Sequence, residues 1–549
     1  MQGLVSFCGR CPWEQREYVT MRLSYTLLPL CLALLSPCLH ADTLTPPLSP
    51  GQEPQWHFAA GTWRFTSEGT LEQTKASRRS AAILRSPAYG NLRLRLDFRI
   101  APVGSGVRAA AVIFGATGTL SYHWLHLDTK FHQLILTRST PKNTWIEVAR
   151  RPCPALTDDT WHNLVVEARD GAVKVLLDGQ EALQAPLAEP SAGCVGFGTS
   201  QGQVAFRNLK LEGDVVNMAQ LKDEQPPFRI ISRGEASGPY QAFPDACRLQ
   251  NGDIMAVFYG GYGHVSLPND EWPKGGRVCT VRSSDEGRTW TTPTVLYDDP
   301  LDNRDPHIAQ LSDGTLVCSF FNYWREDGKT RYHCLLAHST DGGKTWEQQG
   351  QVVTPIGWAV SAPVREMPDG TLILGVYSEG PHGSFGGVIR STDHGKTWSA
   401  PIPIGEEARL PLDAETDVVL LKDKTLYAAL RSSKVNMHYA TSPDLGLTWS
   451  AVKDIGFKAH APHFTRLSTG EILMTHRIPE TALHVSRDEC QTWEGPYVLD
   501  TVGGAYPATV ELKDGTILGI YYEEGEGSAI RALRFRLKAD GIEPLSLDK

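Results

Sequence analysis

The chain has 549 residues, of which 41% are hydrophobic and 21% charged, and its formal net charge is −9. This length exceeds that of an ordinary single domain, so more than one domain is expected. The net negative charge gives no sign of the basic surface that nucleic-acid binding requires, so we expect no nucleic-acid partner. Plentiful glycine, proline and tryptophan (51, 36 and 14 residues) favour a turn-rich, all-β protein.

The first 41 residues have the pattern of a targeting segment. A basic residue after Met21 precedes an apolar run from 27 to 39, and the small residue Ala41 follows. The run is too short and too interrupted by proline to span a membrane as a helix. We therefore expect residues 1–41 to be a leader, with Met21 as the alternative start, and the protein to be exported to the periplasm or secreted. Cys38 lies in a sequence that resembles a lipoprotein cleavage site, so lipid anchoring is the less favoured alternative.

A linker rich in Pro, Ser and Thr is predicted over residues 42–54, and strand patterns follow it. Leu92–Ile100 alternates apolar and polar residues with period two, as expected of a half-buried strand. Asp170-Gly171 and Asp178-Gly179 separate further alternating runs and predict hairpin turns. Residues 55–213 are therefore predicted to form an antiparallel β-sandwich.

An eight-residue repeat, Ser-x-Asp-x-Gly-x-Thr-Trp, recurs in the second half of the chain. Its Asp caps a tight turn, its Gly permits positive φ and its Trp packs between structural units, so we assign it a structural role. The fifth copy has Cys490 where the others have Gly. The five copies cover residues 283–290, 339–346, 391–398, 442–449 and 486–493.

A second repeat counts the units of this half. Apolar strand–turn–strand segments recur six times, roughly 50 residues apart, with turns at 251–252, 313–314, 369–370, 423–424, 469–470 and 514–515. Six such units close into a ring, so residues 225–549 are predicted to form a six-bladed β-propeller.

Alignment of the six hairpins on their turns predicts a functional mouth at one end of the axial channel. Charged side chains at inner strand ends are costly unless they are paired or bind a ligand. A ring of structural salt bridges is the alternative for any one of them, but two arginines at one register together with Glu and Tyr favour a site. The residues brought together are Arg304, Asp305, Glu415, Arg431, His460, Arg477, Tyr506 and Glu523.

The sandwich and the propeller each resemble a known family. The run from Asp159 to Gly179 resembles concanavalin-like, laminin-G-like jelly rolls found beside carbohydrate enzymes, which implies carbohydrate binding; a purely structural sandwich packed on the propeller is equally well supported. The eight-residue repeats are similar to the Asp boxes of the sialidase superfamily, and this resemblance is specific for the propeller architecture.

The sialidase resemblance implies roles for individual residues. Glu415 and Arg431 resemble the family's Glu and its second carboxylate-binding arginine, and Arg477 resembles the third. Tyr506 resembles the nucleophilic tyrosine, and Glu523 the carboxylate that steadies an arginine. A neutral phenol paired to a glutamate base avoids the repulsion that a carboxylate nucleophile would feel from an anionic sugar.

Two positions depart from the family pattern. The family's first arginine precedes Ile-Pro, but here the matching stretch reads Ala-Phe-Pro-Asp at 242–245, so that arginine is missing; Arg304, at the same register one blade on, is the expected substitute. The family's acid/base Asp lies on a loop after the first hairpin. Asp270 is our choice for it, with Glu271 second and Asp245 as a further carboxylate near the axis.

These residues predict an exported retaining glycosidase of the sialidase type that acts on a glycan or glycoconjugate. No metal or organic cofactor is needed for this mechanism. Two alternatives stay open, a hydrolase of a different acidic sugar and a non-catalytic glycan-binding propeller.

Overall fold

The computed structural model describes residues 42–548 except 75–78, 103–107, 141–144, 155, 189–190, 217–220, 235–236, 348, 381–382, 479, 503 and 525–527. The predicted leader, residues 1–41, lies outside the described residues. The described chain is all-β, with two 3-10 turns at Glu53–Gln55 and Glu406–Ala408. In this part of the chain, no helix has the length and apolar character needed to cross a membrane.

The N-terminal domain is a jelly-roll sandwich of two antiparallel sheets. The strands are β1 (Asp42–Leu44), β2 (Trp56–Ala59), β3 (Trp63–Phe65), β4 (Thr70–Gln73), β5 (Ser80–Leu84), β6 (Ala88–Ile100), β7 (Ala109–Ala116), β8 (Tyr122–Asp128), β9 (Gln133–Ser139), β10 (Trp145–Pro152), β11 (His162–Arg169), β12 (Ala172–Leu177), β13 (Gln180–Pro186), β14 (Cys194–Ser200) and β15 (Val204–Val216). One sheet has the strand order β13-β12-β11-β6-β15-β4-β3, with β1 added to β15; the other has the order β10-β9-β8-β7-β14-β5-β2.

Local sequence patterns account for much of this sandwich. Leu92, Leu94 and Leu96 in β6 are buried against the second sheet, whereas the alternate side chains face outward. Asp170 and Asp178 have φ of 49° and each is followed by a glycine with positive φ, as expected of tight hairpin turns. β1 forms in the stretch predicted as a linker, because pairing with the edge of β15 satisfies its backbone groups without any apolar pattern.

Six antiparallel sheets follow and form the propeller, which confirms the predicted fold class. Blade 1 is β17 (Tyr240–Arg248), β18 (Ile254–Gly261), β19 (Arg277–Ser283) and β20 (Thr294–Tyr297). Blade 2 is β21 (Asp302–Gln310), β22 (Leu316–Glu326), β23 (Lys329–Ser339) and β24 (Gln351–Val352). Blade 3 is β25 (Ala359–Val360), β26 (Arg365–Glu366), β27 (Leu372–Gly380), β28 (Gly383–Ser391) and β29 (Ile402–Ile404). Blade 4 is β30 (Thr416–Leu420), β31 (Leu426–Leu430), β32 (His438–Ser442) and β33 (Lys453–Asp454). Blade 5 is β34 (His463–Arg466), β35 (Ile472–His476), β36 (Thr481–Ser486) and β37 (Glu494–Asp500).

Blade 6 is built from both ends of the propeller sequence. Its strands β38 (Gly504–Glu511), β39 (Ile517–Glu523), β40 (Ala529–Lys538) and β41 (Gly541–Leu545) come from the C-terminus, and β16 (Phe228–Arg233) pairs antiparallel with β40. The hydrogen bonds between β16 and β40 therefore hold the ring closed.

The Asp boxes have a structural role, as predicted from their sequence. In the first copy, the Asp285 carboxylate accepts hydrogen bonds from the Thr289 N–H at 2.8 Å and the Thr289 hydroxyl at 2.6 Å, and Gly287 has φ of 84°. The other copies repeat these contacts, and Cys490 adopts a φ of 63° at the glycine position. Their carboxylates are occupied by the turn and are not available for chemistry.

A buried carboxylate links blades 4 and 5. Asp417 accepts hydrogen bonds from the backbone N–H of Val418 and of Phe464, both at 2.7 Å, and pairs with Arg365 at 2.5 Å. Each lone pair of this carboxylate faces a donor, so its burial is compensated.

Inner-strand bulges aim side chains into the channel. In β17, β21 and β38 the register with the next strand shifts, and the residues at the shift, Phe243, Asp305 and Tyr506, have φ of 51°, 48° and 40°. Each is followed by a proline. Such bulges re-aim a side chain at the cost of left-handed backbone, and they recur next to active sites.

Candidate functional site

A pocket of about 530 Å³ lies at the mouth of the channel. Its lining comes mainly from the inner strands of the blades and from the long β22–β23 hairpin. The lining residues are Phe243, His264, Arg304, Asp305, Phe321, Tyr323, Thr330, Tyr332, Ala359, Tyr377, Glu379, Glu415, Arg431, Arg477 and Tyr506.

Tyr506, Glu415 and Arg431 form the centre of this pocket. The Tyr506 hydroxyl donates to Glu415 Oε1 at 2.6 Å, and Arg431 Nη1 donates to the same oxygen at 2.5 Å and to the Tyr506 hydroxyl oxygen at 3.2 Å. All three side chains are largely or fully buried. A phenol that already shares its proton with a carboxylate is arranged to give up that proton as the phenol oxygen attacks.

Burial keeps this phenol neutral in the resting site. Desolvation raises the pKa of Tyr506 well above its ordinary value, and the negative charge of Glu415 raises it further. The guanidinium groups of Arg431 and Arg477 oppose this rise. The Tyr506 proton therefore stays on the oxygen until a reaction draws it toward Glu415.

Two further arginines face the pocket. The Arg477 guanidinium carbon lies 4.8 Å from the centre of the Tyr506 ring. Arg304 lies between four aromatic rings, with its guanidinium carbon 5.6 to 6.0 Å from the ring centres of Phe243, Tyr259, Phe321 and Tyr323. Within the described part of the chain, neither Arg304 Nε nor Arg477 Nε has a hydrogen-bond partner. Unpartnered guanidinium N–H groups in a pocket favour an anionic ligand.

Asp305 is a buried carboxyl beside these arginines. Desolvation raises its pKa to about 6, although the adjacent Arg304 charge acts in the opposite direction. Glu379, across the pocket, also has a raised pKa, chiefly because of burial and secondly because of the Glu415 charge. The pocket therefore combines three arginines with carboxyl groups that resist ionisation.

The alignment of hairpins predicts eight residues at this mouth. Six of them line the pocket, namely Arg304, Asp305, Glu415, Arg431, Arg477 and Tyr506, whereas His460 lies outside its lining. Glu523 lies outside that lining and pairs instead with Arg531 at 2.5 Å. Successive side chains of a strand point to opposite faces, and the preceding Tyr522 is the one whose ring contacts Phe243.

The three predicted acid/base carboxylates also lie outside the lining. Asp270 and Glu271 are exposed, in a surface turn where the Asn269 side chain accepts the N–H of Glu271. Asp245 is buried between His307 and His463, with O···N distances of 3.3 and 3.0 Å. The loop after the first hairpin presents His264, not a carboxylate, to the pocket.

The β22–β23 hairpin contributes residues that the alignment missed. Each strand has 11 residues, and the part beyond the common hairpin length carries Tyr323, Thr330 and Tyr332 to the pocket. The Tyr332 hydroxyl donates to the Glu379 carbonyl oxygen at 2.8 Å, which ties the hairpin to blade 3. The sequence signal that marks this extension is the Asp327-Gly328 turn, with the aromatic residues Tyr323 and Tyr332 on either side of it.

Comparison with known proteins matches both domains. Residues 275–520 match the model of the BNR repeat-like domain, and residues 51–212 match that of the 3-keto-alpha-glucoside-1,2-lyase-like domain.

Among curated proteins, a sialidase of Micromonospora viridifaciens is 24% identical over 361 residues, covering 56% of this chain and 53% of the relative. A sialidase of Paraclostridium sordellii is 22% identical over 264 residues, covering 42% of this chain and 60% of the relative. The chain thus spans a little over half the length of these relatives. Among solved structures, the NanB sialidase of Streptococcus pneumoniae aligns with a TM-score of 0.46 at 12% identity, covering 82% of this chain and 95% of that chain.

Proposed function

We propose that this chain, a sialidase-type BNR-repeat propeller preceded by a jelly-roll domain, is an exported retaining exo-glycosidase that removes terminal sialic acid from glycans. Tyr506 is the nucleophile and Glu415 its base. Arg431 and Arg477, with Arg304, bind the carboxylate of the sugar. Asp270 is not part of this proposal, because its exposed side chain lies outside the pocket lining.

The first half of the reaction uses the contacts of Tyr506. Its oxygen attacks the anomeric carbon as the bond from that carbon to the leaving-group oxygen breaks, and its proton passes to Glu415 across the 2.6 Å hydrogen bond. Arg431 donates to both partners and stabilises the negative charge as it moves between them. The product of this step is a glycosyl–tyrosine intermediate, which water then hydrolyses with overall retention.

The arginines supply recognition of an anionic sugar. A planar guanidinium matches a carboxylate as a fork of two N–H donors, and burial strengthens the contact. Because the nucleophile is neutral, it adds no repulsion toward the bound carboxylate. Three arginines that line the same pocket as Tyr506 therefore favour an acidic over a neutral sugar.

The observation that carries the proposal is the Tyr506–Glu415 hydrogen bond inside a pocket lined by Arg304, Arg431 and Arg477. A binding protein has no need of a nucleophile–base pair. The test is hydrolysis of a fluorogenic α-sialoside by the purified protein beside its Tyr506→Phe variant. Turnover by the parent and its loss in the variant support the proposal; absence of turnover in both contradicts it.

A different acidic sugar is the second candidate substrate. The position that precedes Phe243-Pro244 carries Ala242, so the pocket lacks an arginine at the place where the sialidase resemblance predicts one. A panel of aryl glycosides of sialic, glucuronic and galacturonic acids separates the two candidates. If only a uronide is hydrolysed, the proposed mechanism stands, but the substrate is a uronic acid glycoside and not a sialoside.

A further inference from the structure

We propose that His264 is the residue that protonates the leaving group and later activates water in this pocket. The inference rests on the proposed function and deepens it, because it fills the acid/base role for which no exposed loop carboxylate is in place. The catalytic group would then be an imidazole on the loop after the first hairpin.

His264 is the member of that loop that reaches the substrate pocket. It is among the lining residues, and its side chain is 60% exposed, so one face of the ring meets the pocket opening. Phe243 supports the other side, with ring centres 5.2 Å apart at an angle of 87°. In the proposed reaction the anomeric carbon bonds to Tyr506, which is 9% exposed, so we expect the leaving group to depart toward the more exposed part of the pocket, where His264 lies.

A chain of hydrogen bonds fixes the tautomer of His264. The Tyr240 hydroxyl lies 3.0 Å from His264 Nδ1 and 3.0 Å from both carboxylate oxygens of Glu524. The one hydroxyl proton of Tyr240 is donated to Glu524, so its oxygen accepts from Nδ1–H. Nδ1 is then always protonated, and Nε2 is the nitrogen that gains and loses the catalytic proton.

Charges of both signs surround the imidazole. Glu524, whose oxygen is 4.0 Å from Nδ1, favours the imidazolium, and Arg304 and Arg477 across the pocket disfavour it. Tyr240 and Tyr522, the neighbouring phenols, are neutral because burial raises both of their pKa values. Burial and the arginine charges together lower the pKa of His264 below its ordinary value of 6.5. The acid form is therefore present at acidic pH and is lost as pH rises toward neutrality.

The proton balance closes over the two half-reactions. In the first, Nε2–H gives its proton to the glycosidic oxygen as the bond from that oxygen to the anomeric carbon breaks and the Tyr506–carbon bond forms. The Tyr506 proton passes to Glu415. In the second, neutral Nε2 takes a proton from water as the water oxygen bonds to the anomeric carbon and the Tyr506–carbon bond breaks. Glu415 returns its proton to the departing Tyr506 oxygen.

Leaving-group dependence tests this role. We would compare kcat/KM of the parent and of His264→Asn on 3′-sialyllactose, whose leaving group needs a proton, and on 4-methylumbelliferyl α-sialoside, whose leaving group does not. We expect a loss of about 100-fold or more on sialyllactose and of less than about 10-fold on the aryl sialoside. The fall of parent kcat/KM with rising pH on sialyllactose should disappear in the variant. Lys274→Gln, on the same loop, is the matched control and should leave kcat/KM unchanged on both substrates.

A second variant probes the hydrogen-bond chain. Tyr240→Phe removes the acceptor that holds Nδ1–H, so it should lower sialyllactose turnover more than aryl turnover while His264 is still present. Two results would overturn the inference. One is an equal loss of kcat/KM on both substrates in His264→Asn. The other is a larger loss on sialyllactose than on the aryl sialoside in Asp270→Asn instead of in His264→Asn. If the parent hydrolyses neither sialoside, the proposed function itself fails, which is a separate and distinguishable result.

Discussion

Tyr506 and Glu415 are 91 residues apart in the sequence, yet the hydroxyl of one lies 2.6 Å from the carboxylate of the other. They belong to blades 6 and 4, and Arg431, which follows β31 in blade 4, donates to both. This contact exists only when the ring is closed, because it bridges inner strands across the axial channel. The stability of the propeller and the integrity of the site are therefore linked.

Arg477→Lys should weaken substrate binding although it keeps the positive charge. Lysine cannot present the two parallel N–H donors of a guanidinium. We expect KM for the α-sialoside to rise about 10- to 100-fold, the loss of one charge-assisted hydrogen bond. Steady-state kinetics measure this. Arg487→Lys is the matched control, because Arg487 pairs with Glu471 outside the pocket lining, and an unchanged KM in Arg477→Lys would refute the carboxylate role.

Asp305→Asn should stabilise the protein near neutral pH. Burial raises the pKa of Asp305 to about 6, so the folded state binds this proton more tightly than the unfolded state does. The contribution of Asp305 to the free energy of unfolding is therefore fully present below about pH 4, and it is lost as the pH rises through about 6. We expect a gain on the order of 1–3 kcal/mol for the variant at pH 7 that vanishes near pH 4.

Thermal unfolding at a series of pH values checks the Asp305 prediction, with Asp313→Asn as the opposite case. Hydrogen bonding of its carboxylate to the Thr315 N–H lowers the pKa of Asp313, so this wild-type residue adds stability above its unfolded pKa and loses it as pH falls. The two variants should shift the melting temperature in opposite directions at pH 7. A difference between Asp305→Asn and the parent that does not change with pH would count against the buried, protonated Asp305.

Asp417→Asn should destabilise the propeller strongly. The substitution leaves Arg365 without its charge partner and one of two buried N–H donors without its acceptor. Breaking a buried pair of this kind costs about 3–5 kcal/mol. Denaturant unfolding measures the change. Glu181→Gln, which removes an exposed pair with Lys174 in the jelly roll, should change the free energy of unfolding far less, because solvent screens exposed pairs. Similar losses in the two variants would contradict the structural role of Asp417.

The sequence predicted the ring of blades and most of the pocket for a shared physical reason. Repeated hairpins have a fixed register, so equal distances from the turn become equal heights in the channel. The shared register therefore predicts that Arg304, Glu415, Arg431 and Tyr506 lie close together, and all four line the pocket. The bulges had a sequence signal as well, because Phe243, Asp305 and Tyr506 each precede a proline in an inner strand.

The alignment failed where the position of a residue along the channel axis does not determine which way its side chain points. Glu523 is at the right height but faces Arg531, since it follows Tyr522 on the same strand. Asp270 is on the expected loop, but the fold of a loop depends on its own turns, here the one capped by Asn269. The presentation of His264 depends on tertiary contacts with Tyr240 and Glu524, which no local pattern encodes.

Attack of Tyr506 on the sugar is tested most directly by proton NMR, which follows the product of α-sialoside hydrolysis in the parent and in Tyr506→Phe. We predict that the α anomer of free sialic acid appears first in the parent, and that the rate in the variant falls by at least about 100-fold. A first-formed β anomer, or a Tyr506→Phe variant that turns over at the parental rate, would contradict a tyrosine nucleophile in this pocket.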